Sequence, residues 1–298
     1  MDFLSQTYVA LRGPTGVPQT PTDTISRLSD RLSPATLLAD RRAAVLSLKG
    51  LSRDWKQEVG ERALSGLLEV LYNDAEVDAE TGKAALETLT LLCDTENVSP
   101  NSRELGFKHT DDILASEKAA HTLFALLAEL NFYTRYATLQ FLTTLLHNRR
   151  QAIQGYFLTA PAGPRSIVAA LEDKREIIRN GTKYDSLLFK FVHFVVEGIT
   201  MVQALASQSP DIQKVLAFEG AFEKLFNIVT QEGGVDGGVV AQGALSCVDT
   251  LLRFNNSNQA SIHHSLRILV LTTIYLRVIS GKHPFRLSFS PFFNFLSC

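Results

Sequence analysis

Apolar positions along this chain recur with helical spacing, and no alternating run of β-branched residues predicts a strand. One arrangement returns five times: a small residue followed by aliphatic residues one, four and seven positions later. It reads Ala44-Val45-Leu48-Leu51, Ala85-Leu86-Leu89-Leu92, Thr138-Leu139-Leu142-Leu145, Gly198-Ile199-Val202-Leu205 and Ala244-Leu245-Val248-Leu251. Such spacing lines the side chains up on one helical stripe, or ridge, and the small residue lets a neighbouring helix come close.

A second arrangement follows two of the ridges. After the fourth, Ser209-Pro210-Asp211 signals a helix start, Gly220 a break, and Phe222, Leu225 and Ile228 a second amphipathic helix. A looser copy after the third runs from Asn148 through Ile153 and Ala162-Gly163 to Ile167-Val168 and Leu171. Ser33-Pro34 gives a further start signal. Ridge helix, short helix, glycine turn and longer helix make up the unit of armadillo-like arrays, in which each unit leaves a face that only its neighbour covers. The expected fold is therefore all-α: an armadillo-like solenoid, a right-handed superhelix of helix triplets.

Ridge starts are 41, 53, 60 and 46 residues apart, against about 40–47 for an armadillo or HEAT unit. A polar loop from Asn97 to His109 accounts for the 53. The 60 contains GTKYDSLLFKFVHFVV at 181–196, and without those sixteen residues the interval is 44.

With the ridges placed, the chain resembles the globular head of the general vesicular transport factors, long tethers of ER-to-Golgi traffic. The resemblance is carried by LLADRRAAVLSLKGLSRDWKQEVG at 37–60, DKREIIRN at 173–180 and the long string at 197–259 that begins EGITMVQALASQSPDIQ. It implies a non-enzymatic vesicle-tethering and docking factor, with a Rab-family GTPase, SNARE proteins and vesicle coat components as partners. It also implies a cytoplasmic protein, peripheral on Golgi membrane and ER-derived vesicles, and a homodimer only in full-length members that carry a coiled coil. No a/d heptads run through this tail. The alternative on the same fold is an armadillo-type adaptor or regulatory subunit that binds peptide segments. An asparagine ladder along the groove would favour it, but Asn255, Asn256 and Asn258 belong to one repeat only.

The chain departs from the family twice. REIIRN in the family joins directly to EGITMVQAL, whereas here 181–196 intervenes, and after Gln259 the family continues with another short helix and glycine turn that this chain lacks. The two departing stretches hold eight of the eighteen phenylalanines in 55 of the 298 residues. Phe and Val codons are T-rich, Gly181-Thr182 can be read from a splice donor, and Val196-Glu197 can span an acceptor. The expected organisation is a partial tether head over 1–259, interrupted by a retained-intron insertion at 181–196, and a non-family tail at 260–298 from intron read-through. The insertion splits a turn from its ridge helix, and LLFKFVHFVV would leave an apolar patch in solvent.

Composition sharpens this division. The formal net charge of −2 is uneven: residues 1–259 carry −6, and the acid-free tail carries +4 from Arg267, Arg277, Lys282 and Arg286. A near-neutral chain of pI 6.4 has no broad basic surface for nucleic acid. The N-terminus lacks the basic-then-apolar pattern of a signal peptide, and no stretch reaches the roughly 18–20 apolar residues of a membrane span. Cys93, Cys247 and Cys298 are too few and scattered for a disulfide framework, so a reducing compartment is expected.

Motifs for chemistry are missing. None of the seven histidines lies in HExxH or at zinc spacing with cysteine, and Gly233-Gly-Val-Asp-Gly-Gly238 lacks the Lys-Ser/Thr of a P-loop. There is no GxSxG. No cofactor, metal or catalytic residue is therefore expected. What remains is surface, because the polar faces of ridge helices line the concave groove of such arrays. The candidates are Arg41, Arg42, Lys49, Arg53, Glu87, Gln140, Gln203 and Asp249. Arg41, Arg42, Lys49, Arg53 and Lys56 could also form a basic patch, although Asp40, Asp54 and Glu58 are interleaved with them.

Overall fold

The computed structural model describes residues 20–262 save 97, 130, 172–184 and 235–236, with the backbone alone for 185–191. The described residues form thirteen helices and no strand. In chain order these are α1 (Pro21–Asp30), α2 (Leu38–Leu51), α3 (Lys56–Asp74), α4 (Ala79–Cys93), α5 (Pro100–Leu114), α6 (Glu117–Leu126) and α7 (Phe132–Asn148). They continue as α8 (Arg150–Thr159), α9 (Gly163–Ala169), α10 (Asp185–Ala206), α11 (Pro210–Phe218), α12 (Ala221–Gln231) and α13 (Val239–Leu252). Helical backbone resumes at 256–262. The five ridges fall on α2, α4, α7, α10 and α13, and each of these helices packs on the next.

Side chains cap four of the helix starts. Thr20 accepts from the Asp23 amide ahead of Pro21, Ser116 from Lys118, and Asn131 from both Tyr133 and Thr134. Ser99 caps α5 in the same way, with Pro100 in the first turn. The polar stretch from Asn97 to His109 is therefore not a loop: from Pro100 onward it is helix, and its inward side buries His109 and Thr110. Ser33-Pro34 is also corrected, since it lies in a turn and α2 begins at Leu38 without a side-chain cap. Pro210 does open α11, and Gly220, at φ +90°, makes the left-handed break before α12.

Helix triplets hold for three units: α5–α7, α8–α10 and α11–α13. The second unit is a helix pair, α3 with α4, where the 19-residue α3 takes the place of the two shorter helices, and among the described residues α2 is preceded by α1. One hydrophobic core runs through all of them, from Ile25 to Ile262. Ridge leucines such as Leu89, Leu142 and Leu205 are fully buried, each stabilising the fold by roughly 1.5–3 kcal/mol.

The units are also joined at the C-terminal ends of the ridge helices, whose last carbonyls have no partner within the helix. At the end of α4, four successive carbonyls meet four side chains. The Leu92 oxygen faces His109 Nδ1 at 3.0 Å, and Cys93 accepts from Asn148 Nδ2 at 2.8 Å. Asp94 accepts from Lys56 Nζ at 2.6 Å, and Thr95 from Arg103 Nε at 3.1 Å. These donors come from α3, α5 and α7, so one helix end holds three neighbours. Gly60 on α3 sits so close to the His109 ring that any Cβ there would overlap it.

The described part of segment 181–196 is continuous with the ridge helix. Backbone from Asp185 runs as one helix through Ala206, and Phe194 and Val195 are buried at 3% and 2% exposure. Phe194 packs between Phe132 and Tyr136 of α7, with ring centroids 5.6 and 6.3 Å away. For these residues the expected solvent-exposed patch is an inter-helix contact instead. Residues 1–19 and 263–298, which include Cys298 and most of the tail, lie outside the described residues.

Candidate interaction surface

The outward polar faces of α2, α4, α7, α10 and α13 form a row of rungs, each linking one ridge helix to the next. Counting each ridge from its small residue, Lys49 occupies position five of the first and Glu87 position two of the second. Lys49 Nζ donates to Glu87 Oε2 at 2.5 Å. The equivalent pair on the last two ridges is Gln203 with Ser246, at 2.8 Å, with Thr250 also within reach at 3.3 Å. Lys83 adds a second cation near Glu87, 3.9 Å away, and lies over the Tyr133 ring.

Gln140 stands at position two of the third ridge and reaches Glu197 Oε1 at 3.5 Å; Tyr136 donates to the same oxygen at 3.4 Å. Glu197 was not among the sequence candidates. Its carboxyl is pushed above the usual range by burial, a rise that Gln140, Tyr136 and His193 only partly offset. Its Oε2 is buried and finds no hydrogen-bond partner among the described residues. The signal was present in the sequence: the residue before each ridge is Ala43, Ala84, Ala137 and Gly243 elsewhere, and Glu197 only here. That position faces the preceding ridge helix, since a Cβ on Gly243 would lie 3.8 Å from Ile199.

Of the other candidates only Arg42 crosses to the next ridge helix, donating to Thr81 of α4 at 3.3 Å. Arg41 is 12% exposed and paired with Asp74 at 2.6 Å, which holds its guanidinium above its ordinary pKa. Arg42 pairs with Asp78 at 2.5 Å, and Arg53 is exposed in the turn after α2. Asp249 holds position five of the last ridge and pairs with Arg253, the residue that ends its own helix, at 2.5 Å. The basic patch does not form, because Lys56 is buried beneath α4 and its pKa falls with burial.

A shallow cleft of about 390 Å³ lies at the end of α7, lined by Thr95, Glu96, Arg103, Phe107 and His147. His147 and Glu96 sit 3.6 Å apart at its rim. Burial pushes the Cys93 and Cys247 thiols up to about 12, so neither is an available thiolate. Among the described residues no cluster of His, Cys, Asp and Glu could hold a metal, and no helix is long and apolar enough to cross a membrane. The geometry therefore offers cross-linked rungs and polar surface.

No family model matches the chain. It is 36% identical over 251 residues to the general vesicular transport factor p115 of cattle and of human, a match that takes in 82% of this chain. Over 268 residues, 90% of the chain, it is 32% identical to the intracellular protein transport protein uso1 of Schizosaccharomyces pombe. The chain spans about a quarter of the length of these relatives, 24% and 23% respectively. Among solved structures it resembles two Uso1 crystal structures, each with a TM-score of 0.69 and 28% identity, over 83% and 88% of this chain and 38% and 41% of theirs. An engineered protein at 16% identity and TM-score 0.51 shares the fold alone over 76% of the chain.

Proposed function

The chain belongs to the family of the general vesicular transport factors, and from that premise we propose that it is a non-enzymatic interaction scaffold for vesicle tethering and docking between ER and Golgi. The observation that carries this reading is the shared sequence, which runs through nearly every repeat rather than through one motif. The partners proposed are a Rab-family GTPase, SNARE proteins and vesicle coat components, and the place of action is the cytoplasmic side of Golgi membrane and ER-derived vesicles. Tethering draws on multivalent capture, where linked sites raise the effective concentration of the second contact. The rungs from Lys49 to Thr250 would present the array's groove face to such partners.

The test is capture of Rab-family GTPases on the immobilised chain, loaded with GTP in one arm and GDP in the other. Retention of one or more in the GTP arm alone is expected. Equal or absent retention in both arms turns the reading toward a peptide-binding adaptor. Structural support for that alternative is thin, because Asn255 and Asn258 are each 3% exposed and bond to Pro210, Gln213 and Leu251 rather than line a groove.

The organisation proposed is a partial tether head over 1–259, with 181–196 and 260–298 as translated intron. Spacing of the helix-end donors supports the insertion. Gln213 reaches the carbonyls of Thr250 and Arg253, 37 and 40 residues on, and Lys56 reaches Asp94, 38 residues on. Gln154 reaches Ser207 at a separation of 53, which becomes 37 without the sixteen residues. Sequencing spliced messenger RNA across both junctions should return transcripts in which codons 180 and 197 adjoin. Transcripts that mostly keep both stretches would reject the proposal.

A further inference from the structure

The connection from α4 to α5 is the longest that follows a ridge helix among the described elements: residues 94–99, against Arg149 alone after α7 and three residues after α10. Beside it lies the cleft of about 390 Å³, lined by Thr95 and Glu96 of the connection, Arg103 and Phe107 of α5 and His147 of α7. Its back wall is fixed by a buried network. Thr95 is 5% exposed and donates through Oγ1 to Asn148 Oδ1 at 2.8 Å, while Asn148 donates to the Cys93 carbonyl and to Thr110. Arg103 is held against that wall, its Nε donating to the Thr95 carbonyl oxygen at 3.1 Å. Its two terminal nitrogens meet no acceptor among the described residues, and the side chain is exposed. The other charged side chains around the cleft have partners. Arg149 lies over the Phe107 ring, 4.7 Å from its centroid, and forks onto Asp111 at 2.6 and 2.7 Å, and His147 sits 3.6 Å from Glu96. Phe107 is partly buried and gives the cleft its apolar side.

We propose that this cleft captures the C-terminus of a partner polypeptide whose last residue is apolar. A guanidinium anchored through Nε presents its two terminal nitrogens as a fork that matches both oxygens of a carboxylate. Because the Thr95 bond sets the plane of that fork in advance, little side-chain freedom is lost on binding. Arg103 and Phe107 are four residues apart on α5 and so share one face of the helix. A C-terminal residue carries its carboxylate and its side chain on one carbon, which suits an anion receptor and an apolar wall a single turn apart. Ligand sites span roughly 300–1,000 Å³, and a cleft at the small end of that range holds a chain end better than a segment passing through. His147 stands at position nine of its ridge, one turn beyond the rung position held by Thr143. The cleft is thus separate from the rungs, and the proposal does not depend on which face meets a GTPase.

The probe is N-acetyl-L-leucine, titrated into the full chain labelled with nitrogen-15 and followed by NMR. The amide signals of Glu96, Arg103, Phe107 and His147 should shift together and saturate. N-acetyl-L-leucinamide, which lacks the charge, should bind about tenfold more weakly, and so should N-acetylglycine, which lacks the apolar side chain. Arg103→Gln should erase the preference for acid over amide, and Arg103→Lys, which keeps the charge without the fork, should retain only part of it. The rest of the spectrum shows whether each variant folds. Absence of saturable shifts overturns the proposal, as does a preference for the acid that survives Arg103→Gln, which would place the carboxylate elsewhere. N-acetylglycine binding as tightly as N-acetyl-L-leucine would show an adventitious anion only and overturn it too. A peptide with an amidated end and leucine beside an internal glutamate is the last arm. Binding of that peptide as tight as that of N-acetyl-L-leucine would assign the cleft to a through-running acidic segment and overturn the chain-end occupant.

Discussion

Two buried titratable side chains pull the stability of this protein in opposite pH directions. His109 is held below its ordinary pKa by burial, more than its bond to the Leu92 carbonyl compensates, and nearby Lys56 adds to the depression. The unfolded chain therefore takes up a proton first, and stability is lost as pH falls below about 6.5. Urea unfolding at pH 7.5 and 5.5 should show this loss, and His109→Gln should shrink the difference between the two while lowering stability at both. Glu197 has the reverse sign. Its raised folded pKa means that ionisation disfavours the fold, so its contribution worsens as pH rises through the ordinary glutamate range of about 4.3. Glu197→Ala restores the small residue found before the other ridges and should stabilise the chain at pH 7 by about 1 kcal/mol, read as a higher Tm. A lower Tm would mean that the weak contacts from Tyr136 and Gln140 matter more than the orphaned oxygen.

Among the elements, the ridge helices were legible because their signal is local: a small residue and aliphatics at fixed spacing on one strip of surface. All five fall on helices that pack in series. Helices carrying polar residues inward were not legible. α5 has Asn, Ser, Arg, Lys and Asp along its length, and its buried His109 and Thr110 bond to groups that distant sequence brings near. Lys56 was read as surface because cations are seldom buried, yet it donates hydrogen bonds to two backbone carbonyls, those of Asp94 and Ser102. Glu197 shows the converse case, an irregularity visible in the repeat register that looks harmless until the facing helix is known. If 181–196 is the proposed insertion, α10 tests how far a helix tolerates a foreign start. Phe194→Ala should cost about 3 kcal/mol, measured by denaturant unfolding, because that ring fills the α7 joint. Removal of 181–196 would bring Ile178 to the place of Phe194, an apolar residue again, so the shortened chain should still melt cooperatively.

For the whole molecule, the repeat architecture makes stability a sum over neighbouring joints, with the ends weakest. The inner helices α4 and α7 have covered ridges on both sides, whereas α13 has its outward stripe half-covered. Hydrogen exchange should therefore rank the amides of α4 and α7 slowest and those of α12 and α13 faster, with an exchange gradient along the array. Equal protection across the array would show that it opens as one unit. Charge is likewise uneven at this scale. The family-like part, 1–259 without the insertion, carries −7 against −2 for the chain, so its long-range field is acidic and favours encounter with basic partners at low salt.

The shared cap at the end of α4 also sets a clock. Lys56 precedes the four carbonyls it helps to cover, but Arg103, His109 and Asn148 follow them, the last of these 53 residues after Thr95. A ribosome adding about 5–20 residues per second needs roughly 3–10 s to make that stretch. Until Asn148 is made, the Cys93 oxygen at the end of α4 has only water in that donor's place. Each ridge helix of this kind is thus finished by sequence not yet made, and the growing array keeps one unfinished joint travelling with its newest end.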